Sequence, residues 1–364
     1  MSLRTPCKPL AIAVSMLCLS LAACSDKKTP EKNADIDQNL ARAQTYQHQG
    51  QFRAAIIEAK NALQKAPNNP DALVLVAEIY NELGDSKQAL AVLEKVDATS
   101  DNKLFVTHLD TLLARGKANS ALELVAKQPA SLTQEQKENV ELDVAKADVL
   151  TGNFSKAAET FKRLGSSNTE SVRQDASIGL AGIALQANHT DDAIKILDEA
   201  LSKTPTFTDA LVMKASIAYQ NKDLDKAEEL LSQALLTLPS TDLLTEKRAN
   251  VLDSLVNVLT RQGRTAEAMI YTKKLAEARP GAENVKQQFE EGVELLKAGK
   301  LDEAEQKLLQ VYNQNNAPDA AGRLLGIIRM QEGDMQGAEQ YFSQHIDPET
   351  ANPDALRLLA ESQL

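Results

Sequence analysis

A chain of 364 residues is long enough for two or three ordinary domains, or for one continuous repeat array. It has no Trp, only 4% aromatic residues and 52 alanines, one residue in seven, which argues against sheets and large aromatic cores and for closely packed helices. The formal charge of −11, with no run of Lys or Arg, lacks the basic stripe of a phosphate-backbone binder, so nucleic acid is not an expected partner.

In chain order, the first segment reads as an export leader. Arg4 and Lys8 form a positive start, Leu10 to Leu21 is almost wholly apolar, and the small residues Ala22 and Ala23 precede Cys24. So short an apolar stretch does not span a bilayer as a mature helix. Leu21, Ala22, Ala23 and Cys24 resemble the bacterial lipobox, which implies cleavage of residues 1–23 and lipidation of the Cys24 thiol. The alternative is an ordinary signal peptide with a chance cysteine. Cys7 and Cys18 fall inside the leader, so the mature chain would keep Cys24 alone and no disulfide. Losing Arg4 and Lys8 leaves 38 − 51 = −13, so membrane attachment would rest on the lipid and not on charge. Residues 24–35 are polar and unpatterned, a flexible tether. Ser25 after the cysteine, in place of Asp, points to the periplasmic leaflet of the outer membrane, with Asp26 keeping the inner membrane open.

From residue 36 onward the chain repeats itself. Tyr46, Gly50 and Ala55 return 34 residues later as Tyr80, Gly84 and Ala89. The alanine phase continues through Ala121, Ala157, Ala193, Ala227, Ala268, Ala304 and Ala338. Five residues before each alanine stands Gly50, Gly84, Gly116, Gly152, Gly263, Gly299 or Gly333, with Asn188 and Lys222 in the remaining two repeats. Glycine suits the left-handed residue that ends a helix, and Asn is next best. Lys222 fits worst, and Asp223 beside it is expected to take the turn. Seven before the turn come Ala43, Ala77, Ala145, Ala181, Ala215, Gly292 and Gly326, small residues that let two antiparallel helices approach; Leu109 and Val256 depart from the pattern. Ala98 lies outside the alanine phase and is expected to tolerate enlargement. Pro67, Pro205, Pro239 and Pro280 follow twelve residues after their alanines and stop the second helix.

Between Ala227 and Ala268 there are seven extra residues, close to two helical turns, so the first helix of repeat seven is expected to lengthen, with Leu244, Val251, Leu255, Val258 and Leu259 keeping its apolar phase. A longer loop is the alternative. At the end, Pro353, Asp354, Ala355 and Leu356 echo Pro70, Asp71, Ala72 and Leu73, which predicts a capping half repeat over 353–364. The pattern as a whole predicts an all-α fold.

Ala43, Tyr46, Gly50, Ala55, Ala62 and Pro67 together resemble the tetratricopeptide (TPR) signature, and the resemblance covers residues 36–352. Repeats one, two, five and six match best, and all lack the Trp that the family prefers in its first helix. The resemblance implies a right-handed superhelical solenoid of about nine TPR-like hairpins plus the capping helix. It also implies a concave face, lined by the first helix of each hairpin, that holds a protein or peptide partner. The family's clamp of Lys and Asn for a C-terminal carboxylate does not carry over: its positions fall on Leu40, Gln44, Leu75, Lys103 and Thr107, of which only Lys103 fits. The groove positions are instead Asp71, Glu78, Glu82 and Asp110, an acidic stretch suited to a basic segment; the alternative is ordinary solvated acids. Residues Ala55 to Leu63, before Pro67, resemble the exosortase-associated (PEP-CTERM system) TPR lipoproteins linked to exopolysaccharide production. Alginate-type and cellulose-type secretion TPR proteins, type IV pilotins and the outer-membrane protein assembly lipoprotein are further precedents. Two readings follow: a membrane-anchored scaffold in an envelope assembly or export machine, or a docking and regulatory partner of envelope enzymes such as those of peptidoglycan, or of pilus assembly.

Nothing in the sequence marks a reaction centre. His48, His108, His189 and His345 fall in four different repeats, without the i, i+4 spacing of a helical metal site. No nucleophile elbow, phosphate loop or dinucleotide turn appears. No catalytic residue, metal or cofactor is therefore expected, and the function expected is binding, not turnover.

Overall fold

The computed structural model describes residues 30–278, 282–313 and 319–363. The leader and Cys24 lie outside the described residues, as does Pro280. Among the described residues there is no strand, and the helices pair in sequence as antiparallel hairpins. These are α1 (Pro30–His48) with α2 (Phe52–Lys65), α3 (Pro70–Glu82) with α4 (Ser86–Leu93), and α5 (Asn102–Ala114) with α6 (Ala118–Val125). Then come α7 (Gln134–Leu150) with α8 (Phe154–Leu164), α9 (Glu170–Gln186) with α10 (Thr190–Lys203), and α11 (Thr208–Gln220) with α12 (Leu224–Thr237). The last are α13 (Glu246–Arg261) with α14 (Thr265–Ala278), α15 (Ala282–Lys297) with α16 (Leu301–Tyr312), and α17 (Asp319–Gln331) with α18 (Met335–His345), followed by α19 (Pro353–Ser362). The result is a superhelical solenoid of nine hairpins with a terminal helix. Its first helix begins at Pro30, so the last part of the segment expected to be a tether is helical.

The hairpin turns explain the recurrent glycine. Among the described residues, left-handed backbone occurs at nine places, Gly50, Gly84, Gly116, Gly152, Asn188, Lys222, Gly263, Gly299 and Gly333, all with φ between 61° and 82°. Lys222 therefore makes its own turn, contrary to the expectation for Asp223. Asp223 instead caps α12, its carboxylate accepting the Lys226 backbone N–H at 3.1 Å. Asn69 and Asn352, each followed by Pro at the first helical position, cap α3 and α19 in the same way, with side chains accepting from Ala72 and Ala355 at 2.9 Å.

All nine phase-locked alanines are buried, and so are the small residues facing them from the first helices. At Gly326 a Cβ would come within 2.4 Å of the Phe342 ring, so the missing side chain is what lets α17 and α18 meet. The apolar clusters run from one hairpin into the next, as from Ile36 and Leu40 through Ala55 to Val76 and Ile79, giving one elongated core. Successive first helices also touch one another, α1 with α3, α3 with α5, α5 with α7 and α7 with α9. No pair of successive second helices makes a comparable contact among the described residues. Over the first five hairpins the first helices therefore form the inner layer and the second helices the outer one.

The seven extra residues are shared between helix and loop: α13 has 16 residues where α11 has 13, and where four residues, 204–207, join α10 to α11, an irregular segment of eight, residues 238–245, joins α12 to α13. This segment reaches the first hairpin: the Asp242 N–H donates to the Gly50 carbonyl at 2.9 Å, and its carboxylate accepts the Phe52 and Arg53 N–H groups at 2.7 and 3.3 Å. Asp242 thus caps α2 from almost two hundred residues away. Further contacts of this kind join Lys87 to Asp319 at 2.9 Å, Lys117 to Asp347 at 2.9 Å, and the Ser120 N–H to Glu349 at 2.9 Å. The superhelix completes a turn and its later repeats rest on the earlier ones.

Candidate functional site

The acidic residues singled out in the sequence sit on two adjacent inner helices, Asp71, Glu78 and Glu82 on α3 and Asp110 on α5. All four are exposed. They form a ladder whose rungs cross between first helices. Gln47 of α1 donates to Glu82 at 3.1 Å, and Lys103 of α5 lies 3.6 Å from Asp71. Lys146 of α7 reaches Asp143 of its own helix at 3.2 Å and Asp175 of α9 at 3.3 Å. Because every partner belongs to a first helix, the ladder runs along the first-helix layer from the first hairpin to the fifth.

Its electrostatics follow from crowding like charges in a hollow. Burial, then the nearby Glu82 and Asp110, push the Glu78 carboxyl above its usual range, and burial does the same to Glu82. Asp143 is almost wholly buried, and desolvation together with Asp110 raises its carboxyl well above normal. Asp110 keeps contact with solvent but is surrounded by the walls of the groove, and it too is raised by desolvation. Desolvation would lower Lys146, but Asp143, Asp175 and Asp110 outweigh it and hold the ammonium charged.

Six carboxyl groups thus share the inner face with two lysines. The ladder can take up cationic side chains in extended order, and each one that binds relieves the repulsion between neighbouring acids. Of the positions where a carboxylate clamp would lie, Leu40 and Leu75 are buried in the core, and Lys103 is engaged by Asp71. The positions of a carboxylate clamp are thus not available for one here. Farther along, a hollow of about 300 Å³ opens between α11 and α13, lined by Val212, Tyr219, Ser254 and Asn257, with the Arg261 guanidinium 4.4 Å from the Tyr219 ring.

Sequence reasoning found the first half of the ladder and missed Asp143, Lys146 and Asp175. Asp175 could have been found, because it stands thirteen residues before its turn residue (188 − 175) just as Asp71 does (84 − 71). Lys146 could have been found as well, because it stands six residues before its turn residue (152 − 146), as Glu78 (84 − 78) and Asp110 (116 − 110) do, whereas Asp143 shares no phase with them. Among the described residues, no group of three or more His, Cys, Asp or Glu side chains could hold a metal ion. No described helix is long and apolar enough to cross a membrane.

Comparison with known proteins places these repeats in a family. One family model described as Tetratricopeptide repeat matches residues 46–104 and 184–250, and a second with that description matches residues 142–206 and 289–361. Cellulose synthase operon protein C of Pseudomonas fluorescens (strain SBW25) is 28% identical over 226 residues, 56% of this chain. The match spans only 17% of that relative's length. Among solved structures, a thermophilic TPR protein of Thermus thermophilus aligns with 55% of this chain and 99% of its own, at 20% identity and a TM-score of 0.40. The human IFIT1 dimer aligns with 90% of this chain and 73% of its own, at 17% identity and a TM-score of 0.48. With its nine left-handed turn residues, its buried alanine phase and the family matches along its length, the chain belongs to the tetratricopeptide-repeat family.

Proposed function

We propose that this protein is a scaffold in a cell-envelope assembly or export machine, related to exopolysaccharide, and that it holds a partner protein along its concave face without turnover. The observation that carries this reading is the acidic ladder, in which six carboxyls and two lysines span four successive first helices, α3, α5, α7 and α9. Such a surface suits an extended or helical segment of a partner rich in Lys and Arg. The likeness to cellulose synthase operon protein C supports the exopolysaccharide setting. We further propose that lipidated Cys24 holds the scaffold to the periplasmic leaflet of the outer membrane, which would concentrate it where such a machine works.

The test is crosslinking and pulldown from envelope extracts with wild type and with Asp71, Glu78 and Asp110 all changed to Lys. The variant should keep its helicity, because exposed charges contribute little to stability. It should recover roughly tenfold less of the partner, and added salt should weaken wild-type capture in the same direction. Equal recovery by both proteins would remove the ladder from the function. Labelling with radioactive fatty acid tests the anchor: Cys24→Ser should abolish incorporation, and equal labelling would overturn it.

A further inference from the structure

A roomy hollow lies away from the first-helix face, in the seam where one superhelical turn rests on the next. Its volume is about 610 Å³, enough for a ligand the size of a sugar acid. One wall carries Lys87 of α4 with Arg115 and Lys117 of the α5–α6 turn; the other carries Asp319 and Arg323 of α17 with His345 and Asp347 after it. Four permanent cations against two carboxylates make this a locally positive cleft in a chain of net charge −11.

The pairing inside the cleft is uneven. Asp319 is taken by Lys87 at 2.9 Å and by His345 Nδ1 at 3.2 Å, and Asp347 is taken by Lys117 at 2.9 Å. His345 Nε2 lies 3.3 Å from the Tyr312 hydroxyl. Both guanidinium groups are left over. Arg323 donates to the His345 carbonyl at 3.3 Å and forms no ion pair with a carboxylate among the described residues. Arg115 likewise forms none: Asp347 feels its charge but is bonded to Lys117, and the Arg115 Nε is shut away from solvent without a hydrogen-bond partner. A half-buried guanidinium with an unsatisfied donor is costly, and its planar fork matches a carboxylate or phosphate group in two parallel hydrogen bonds.

We propose that this seam is a binding site for a compact anion bearing a carboxylate or phosphate group, gripped by Arg115 and Arg323 from opposite walls. The anion would tie repeats two and three to repeat nine, across more than two hundred residues of chain, and so brace the superhelix. This site is separate from the concave ladder and does not depend on which partner that face holds.

The experiment is titration calorimetry and thermal unfolding of the full chain with inorganic phosphate and with glucuronate, at matched ionic strength, using glucose as the uncharged control. At least one anion should bind with one-to-one stoichiometry and raise the melting temperature, while glucose does neither. Binding of phosphate alone would identify a phosphate ligand, and binding of glucuronate alone an acidic sugar. Arg115→Ala and Arg323→Ala should each weaken binding tenfold or more with unchanged helicity by circular dichroism. Arg115→Lys and Arg323→Lys, which keep the charge but lose the fork, should fall between, and Lys127→Ala, outside the cleft, should bind as wild type. Absence of saturable binding by either anion, or wild-type affinity in all four arginine variants, would overturn the proposal.

Discussion

At the scale of single residues, one backbone conformation organises the array, and its cost depends on which side chain carries it. Lys222 holds φ at 65° where seven other repeats use Gly, and a Cβ in that region costs about 1 kcal/mol or more. Lys222→Gly should therefore stabilise the protein by about 0.5–1 kcal/mol, read as a higher denaturation midpoint. Gly50 and Gly152 share this conformation, but a Cβ at Gly50 would also lie 2.7 Å from the Ser240 carbonyl oxygen, whereas at Gly152 it would meet nothing within 4 Å. Gly152→Ala should cost about 1–2 kcal/mol, and Gly50→Ala clearly more. Equal losses would mean that the contact between turns does not form in solution. The turn phase was legible in the sequence because left-handed backbone restricts residue choice so severely. Lys222 was misread for the same reason: its neighbour looked better suited, but Asp223 was already committed to capping α12.

At the scale of helices, stability comes from each hairpin closing on itself and on the next. Ala227 is wholly enclosed between α11, α12 and α13, so Ala227→Leu should overpack the interface and cost about 1–3 kcal/mol, measured by chemical denaturation. Ala98, expected to tolerate enlargement, is in fact buried in a short 3-10 turn. The exposed Ala91 on α4 is the proper comparison, and Ala91→Leu should change the midpoint little. Repeat phase made the hairpins readable and placed Asp71, Glu78, Glu82 and Asp110 on one face. It could not say how the seven extra residues divide between a longer α13 and a longer loop before it, since either has the same length in sequence. The cluster Pro239, Ser240, Thr241 and Asp242 carried the loop signal. The basic seam was invisible because it joins residues that share no period, Arg115 with Arg323 and Lys117 with Asp347.

At the scale of the whole molecule, the inner face and the seam respond to acid in opposite senses. Glu78, Glu82, Asp110 and Asp143 have raised carboxyls, so the folded chain binds protons there more tightly than the unfolded one. Lowering the pH from 7 through that window should add stability. Asp319 is held below its usual range chiefly by His345, and at Asp347 the Lys117 hydrogen bond and the Glu349 N–H outweigh the effect of burial. Their contribution is present above about pH 4 and is lost below it. The melting temperature should accordingly peak on the acid side of neutrality, near about pH 5. A steady fall from pH 7 downward would contradict the raised values. The latch at Asp242 has its own signature: Asp242→Ala removes the cap on α2, at a cost of about 0.5–2 kcal/mol, and should enlarge the radius of gyration in X-ray scattering. The same latch fixes something that repeat arrays ordinarily leave free. A solenoid with only neighbour contacts can gain or lose a unit and still fold, but here the cap for the second helix is delivered by a loop a set number of hairpins later. Inserting or deleting one repeat between Arg53 and Ser240 would carry Asp242 past its target, and between Lys117 and Ser240 it would also shift the two walls of the seam out of register. The number of units in this stretch is therefore fixed by the latch, not by the hairpins themselves.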